Sequence, residues 1–301
     1  MIRPGFLSEG DPVGIVPPAS SISYEYIRKS VDLLESWGLE VILSENIRGK
    51  YNQFAGTDEE RISALQYMLD HDKLKAVFCA RGGYGTTRIL DKLSFDKFRK
   101  HPKWIVGFSD VTALLTILCN LGIESVHGPM PVTFDPENDL GSLKHLKNLL
   151  WGTGYTGFEW KTGGIYRPGE AEGILIGGNI SLLCSSIGTS SDIDSSNKIL
   201  FLEDTDEYLY RLDRMIVQLK RSGKLDDLSG LVIGHMTGMK ESETPFGSSP
   251  DKIIMEHVSG LGFPVSTNAP IGHQYPNYPV PVGRVASMAV GENSTVLSFK
   301  K

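Results

Sequence analysis

A serine stands in the stretch Gly107-Phe108-Ser109-Asp110-Val111, between two runs of different character. Before it, Lys103 to Phe108 is apolar and has the pattern of a buried strand. After it, Asp110 to Leu121 has a helical pattern and is stopped by Gly122. A strand-to-helix turn of this kind throws its serine out of the carboxyl edge of a sheet. It also leaves the N–H of Asp110 at a helix N-terminus, where developing negative charge is favoured. The nucleophile-elbow pattern G-x-S-x-G is only half met, because Val111 stands in place of the second glycine. The same residues also read as an ordinary turn with Ser109 as helix N-cap.

A serine nucleophile needs a base, and the base needs an orienting acid. Of the seven histidines, His273 is set apart by its surroundings, Pro270-Ile271-Gly272-His273-Gln274-Tyr275-Pro276. A long loop stiffened by prolines serves to position something, although a structural histidine in a turn fits too. For the acid, Glu203-Asp204-Thr205-Asp206-Glu207 follows the apolar strand Ile199 to Leu202. The later acids read as cap and first-turn residues of the next helix, which leaves Glu203 at the strand end. A calcium-loop reading of Asp192, Asp194, Ser196 and Glu203 fails, because Asn197 holds the place that needs glycine. An oxyanion hole would need a second N–H beside that of Asp110. The loop Arg81-Gly82-Gly83-Tyr84-Gly85 offers one, with Gly83 the first choice and Gly82 next; a plain tight turn is the alternative. As a phosphate cradle this loop is weak, lacking both G-x-G-x-x-G and a P-loop lysine.

These residues need elements to hold them. Strand and helix alternate regularly up to His127: strands at Asp11–Val16, Leu39–Leu43, Leu74–Cys79, Lys103–Phe108 and Ile123–Val126, and helices at Tyr24–Trp37, from a Thr57/Glu60 capping box to about His71, and from the glycine loop to about Leu93. Such alternation predicts a doubly wound parallel sheet with ligands at the strands' carboxyl ends. The pattern changes near Trp151. We expect an N-terminal nucleophile domain over 1–150, a linker over 151–170, and a smaller mixed, β-rich α/β domain over 171–301 carrying acid and base. Asn268 to Gly283 reads as one long loop, followed by a hairpin of Val285–Val290 and Thr295–Phe299.

The net charge of −6 argues against nucleic acid as a partner. No secretory signal and no membrane-spanning apolar stretch is visible. Three separated cysteines in apolar runs suit a reducing, cytoplasmic setting and no zinc site.

The blocks Ala80-Arg81-Gly82-Gly83-Tyr84-Gly85, Gly107 to Thr112, Gly177-Gly178-Asn179, Phe201-Leu202-Glu203-Asp204 and Gly272-His273 resemble the signature blocks of the LD-carboxypeptidases. This serine-peptidase family includes enzymes of murein recycling and the microcin C immunity peptidases. The resemblance implies a flavodoxin-like first domain and a Ser-Glu-His triad of Ser109, Glu203 and His273. It implies oxyanion N–H groups at Asp110 and Gly83, and no metal or organic cofactor. The implied reaction cleaves the L-D bond between a diamino acid, lysine or diaminopimelate, and the terminal D-alanine of a murein tetrapeptide. Arg81 is a candidate for the substrate's free carboxylate, or else a surface ion-pair residue. Family members are often dimers, so a homodimer is expected. The competing readings are a peptidase of acyl-nucleotide conjugates and a non-hydrolytic nucleotide-binding module.

Overall fold

The computed structural model describes residues 1–300. The chain divides into two compact units, Met1–Tyr155 with Tyr278–Pro281, and Thr156–Asn277 with the chain from Val282 onward.

The first unit contains β1 (Pro12–Val16), α1 (Tyr24–Ser36), β2 (Glu40–Leu43), α2 (Asp58–Asp70), β3 (Ala76–Cys79), α3 (Asp96–Lys100), β4 (Trp104–Gly107), α4 (Thr112–Asn120), β5 (Ser125–His127) and α5 (Leu140–Trp151). Its strands pair in parallel in the order β5-β4-β3-β1-β2. All residues of β3 and β4 are buried, as expected of strands covered on both faces. On one face Ile27 and Leu34 of α1 and Leu143, Leu146 and Leu150 of α5 pack on Ile15, Phe78 and Val106. At Gly14 a Cβ would lie 2.7 Å from the sulfur of Met68 in α2, so a side chain there would have to displace the methionine. The capping box is present: Glu60 N donates to Thr57 Oγ1 (3.2 Å) and Thr57 N to Glu60 Oε2 (2.7 Å).

The expected helix from the glycine loop to Leu93 is absent. Gly83 and Gly85 have φ of 97° and 137°, which no α-helix accepts, and a single 3₁₀ turn at Leu90–Lys92 replaces it. The presumed loop 268–283 also contains a strand, β11, described below.

The second unit holds β6 (Gly157–Lys161), β7 (Gly169–Asn179), α6 (Ile180–Ser185), β8 (Ile199–Thr205), α7 (Leu209–Arg221), β9 (Gly230–Thr237), α8 (Pro250–Val258) and β10 (Val265–Ser266). The chain then forms β11 (Val280–Val282), which lies beside β5 at the edge of the first sheet. It closes with β12 (Val285–Val290) and β13 (Ser294–Phe299), the expected antiparallel hairpin. The second sheet runs β10-β9-β8-β7-β12-β13-β6. Its β7 to β10 portion is parallel and the rest antiparallel, so the sheet is mixed.

Two differences from the sequence reading bear on the site. The stretch 151–170 contains β6, whose Phe158 and Trp160 are buried while Glu159 between them and Lys161 after them are exposed. More importantly, β8 runs on through Glu203, Asp204 and Thr205. Glu203 is therefore inside a strand, not past its end. The following helix α7 begins later, with Tyr208 as N-cap and no side-chain cap, so the acids before it do not cap it.

Candidate active site

Ser109 follows β4 directly. Its φ of 61° puts a non-glycine residue in the left-handed region, and one 3₁₀ turn, Ser109–Val111, leads from it into α4. Such a conformation costs on the order of 1–3 kcal/mol and persists where the surroundings over-determine it. Those surroundings are tight. At Gly107 a Cβ would lie 2.7 Å from Val111 Cγ1 and 3.2 Å from Cys79 Cβ, so the turn closes only with glycine there.

The glycine loop after β3 packs on this turn. A Cβ at Gly82 would lie 3.1 Å from Ser109 Cβ, 3.2 Å from its Oγ and 3.3 Å from the Asp110 nitrogen. A Cβ at Gly83 would point toward Ser20, 2.3 Å from its Oγ. Ser20 N donates to Gly82 O (3.2 Å) and Ser20 Oγ accepts from Tyr84 N (3.3 Å). The Asp110 carboxylate is buried and accepts from Thr86 N at 2.8 Å, which ties the serine turn to the glycine loop. Burial pushes its pKa up, against the bonds from Thr86 and Gly85. Arg81 is exposed and donates to Ser21 O at 3.0 Å.

In the second unit Glu203 is fully buried. Its Oε2 lies 2.6 Å from His273 Nδ1. Two glycines make room for this pair. A Cβ at Gly272 (φ 125°) would meet Glu203 Oε2 at 2.9 Å, and one at Gly234 would meet Ile271 O at 2.5 Å and Glu203 Cβ at 3.4 Å. The loop bearing His273 runs along β9: Ala269 N donates to Ile233 O (3.0 Å) and His235 N to Ile271 O (2.8 Å). Asn277 Oδ1 then accepts from Gly272 N at 2.9 Å. Burial disfavours a charged His273, but the Glu203 carboxylate, helped by Asp204 and Asp206, outweighs it and raises the pKa. His235, beside the same carboxylate, is instead lowered, chiefly by burial.

Of the residues singled out from the sequence, Glu203 and His273 are thus in contact, and Ser109 and Asp110 lie against Gly82. Three further residues were not chosen from the sequence as site candidates: Arg61, His235 and Asp204. Arg61 is fully buried and donates to Pro18 O (2.6 Å) and Gly85 O (2.8 Å); its signal was a cation on the apolar stripe Arg61, Ala64, Leu65, Met68 of α2. His235 continued an apolar run. Asp204 followed a strand apolar on both faces, where burial was to be expected.

Residues 13–128 match the LD-carboxypeptidase N-terminal domain and residues 172–288 the LD-carboxypeptidase C-terminal domain. A Bacillus subtilis (strain 168) protein named a probable murein peptide carboxypeptidase is 37% identical over 299 residues, 98% of this chain and 94% of its own. The crystal structure of muramoyltetrapeptide carboxypeptidase from Oxalobacter formigenes superposes with a TM-score of 0.87 at 30% identity, covering 96% of this chain and 99% of that one. The microcin C7 self immunity protein in complex with aspartyl sulfamoyl adenosine shares the fold, with a TM-score of 0.90 over 100% of this chain and 99% of that one, at 19% identity. Fold and relatives together define a serine-type carboxypeptidase, a hydrolase of two α/β domains. Within that class the chain belongs to the LD-carboxypeptidase family. Among the described residues, no helix is long and apolar enough to cross a membrane.

Proposed function

We propose that this enzyme removes the terminal D-alanine from murein tetrapeptides by a Ser109-His273-Glu203 mechanism. The 2.6 Å contact between His273 Nδ1 and the fully buried Glu203 carboxylate carries the reading. It holds Nδ1 protonated, so that Nε2 is the ring nitrogen that accepts a proton. Nε2 takes the proton of Ser109 as Oγ bonds to the carbonyl carbon between the diamino acid and D-alanine. The N–H groups of Asp110 and Gly83 hold the oxyanion. As the C–N bond breaks, His273 returns the proton to the leaving amine. Water, deprotonated by the same imidazole, then cleaves the acyl ester, and the proton goes back to Ser109. Arg81 receives the substrate's free carboxylate. Murein peptides are the substrates named for the similar proteins. Their turnover fits a cytoplasmic homodimer handling small peptides, a form that light scattering of the purified protein tests.

The experiment is D-alanine release from lysine and diaminopimelate tetrapeptides, read by mass spectrometry, with wild type beside Ser109→Ala. Loss of one alanine, lowered on the order of 10⁴-fold or more in the variant, is expected. Near-normal release by Ser109→Ala removes the nucleophile assignment. No release by wild type redirects the search to acyl-nucleotide conjugates.

A further inference from the structure

Glu203 and Asp204 are consecutive carboxylates on β8, 0% and 2% exposed. Successive strand residues point to opposite faces, so the two do different work. Glu203 meets His273. Asp204 meets the turn that joins β7 to α6. Its Oδ1 accepts from Asn179 Nδ2 (2.8 Å) and Thr205 N (2.8 Å). Its Oδ2 accepts from Ser181 N (3.0 Å) and Ser181 Oγ (2.8 Å).

This is an unfavourable place for a second negative charge. Burial and the neighbouring Glu203 raise the Asp204 pKa to about 6. No lysine or arginine pairs with it among the described residues. Burying an unpaired carboxylate beside another is costly, and a scaffold alone has cheaper choices. The four partners nonetheless donate to both oxygens, which only a group accepting on both sides satisfies; an amide would set its NH₂ against a donor.

The strand pairing shows what this link holds. Toward β7 the register is regular, with Gly178 opposite Leu202 and Asn179 opposite Glu203. Toward β9 it slips at the catalytic acid. Leu202 faces Ile233, but Asp204 faces Met236, so two steps on β8 oppose three on β9. A bulge of this kind re-aims a side chain and breaks local pairing. At Glu203 the backbone is thus held from the β7 side, and Asp204 fastens that side to the start of α6.

We propose that Asp204 is a positioning residue: its carboxylate locks β8 to the β7–α6 turn and so fixes the backbone at Glu203 in the place where Oε2 meets His273. The proposal rests on the Glu203–His273 reading above. Asp204 acts through Glu203 and touches no substrate. The charged and titratable groups around the pair are Asp206, His235 and His273, together with the Cys184 thiol.

A double-mutant cycle on kcat at saturating tetrapeptide tests it, using Asp204→Asn, Glu203→Ala and the combination. Asp204→Asn is expected to lower kcat ten- to hundredfold with KM within twofold, and to cost less than twofold in the Glu203→Ala background. Ser181→Ala, a milder cut in the same link, follows the same pattern with a three- to tenfold loss and serves if Asp204→Asn does not fold. An equal loss in both backgrounds makes Asp204 scaffold only and overturns the proposal. So does wild-type kcat in Asp204→Asn when Glu203→Ala is impaired. Wild-type kcat in Glu203→Ala overturns the triad reading, and this proposal with it.

Discussion

His273 and His235 flank one buried carboxylate, yet their pKa values are moved in opposite directions. Burial acts against the charged form of both. Only His273 has a carboxylate oxygen in hydrogen-bonding contact, and that contact reverses the balance. Its pKa therefore lies above the ordinary imidazole value of about 6.5. A general base works in its neutral form, so kcat/KM should rise with pH along a limb centred above 6.5. Glu203→Gln removes the charge and leaves burial in command. The limb should then fall below 6.5 and kcat drop on the order of 10²–10⁴-fold. A pH profile of tetrapeptide hydrolysis checks both effects; a limb that does not move in Glu203→Gln means another group holds the imidazole. Nucleophile chemistry separates by residue in the same way. The buried Cys79 and Cys184 thiols are pushed up to about 12 by desolvation, so they stay protonated and inert. Ser109, on its left-handed turn beside Gly82, is the proposed nucleophile.

At the scale of elements, the first unit's loops converge on one buried cation. Arg61 reaches out of α2 to Pro18 O after β1 and Gly85 O after β3, and its other arm pairs with Asp58 at the start of its own helix. Phe54 covers the guanidinium at 4.9 Å. Arg61→Met keeps the stem but leaves two carbonyls and part of a carboxylate without their donor, since Arg88 alone then holds Asp58. The expected loss is about 3–5 kcal/mol of stability, read from urea unfolding of the first unit. A loss below about 1 kcal/mol would mean that water replaces the arginine without difficulty. None of this network was readable in advance, because the partners lie 43 and 24 residues away along the chain. What could be read is local. The apolar runs of β1, β3 and β4 and the Thr57–Glu60 box carry their own signal. Ser109, Glu203 and His273 stood out as candidates by residue type, although Glu203 lies inside β8 and not at its end. Glu203, Asp204 and Thr205 look like a turn, and only pairing with β7 and β9 makes them strand. The edge strands β6 and β11 are short, and Pro281 inside β11 mimics a loop.

For the whole molecule, stability should carry the mark of these buried acids. Asp204 titrates at about 6 in the folded chain against 3.8 for an unperturbed side chain, because burial and then Glu203 disfavour its charge. Between those values the folded protein holds a proton that the unfolded chain has released. Stability from this group is therefore fully present below pH 3.8 and is lost as pH rises toward 6. Other groups superimpose their own slopes. Asp110 and Asp251, raised by burial, act in the same direction, whereas His145 and His235, lowered by burial, add stability as pH climbs to 6.5. A single stability profile would blend all of these. The difference between wild type and Asp204→Asn removes what they share. Asparagine forfeits hydrogen bonds at every pH but carries no charge to desolvate. Its deficit should be largest near pH 4 and should shrink by on the order of 3 kcal/mol by pH 7. Urea unfolding at intervals of half a pH unit measures it. A deficit that stays constant across that range would mean that the hydrogen bonds from Asn179, Ser181 and Thr205 fully offset desolvation. Asp204 would then be a carboxylate of ordinary acidity, held charged at every pH where the enzyme works.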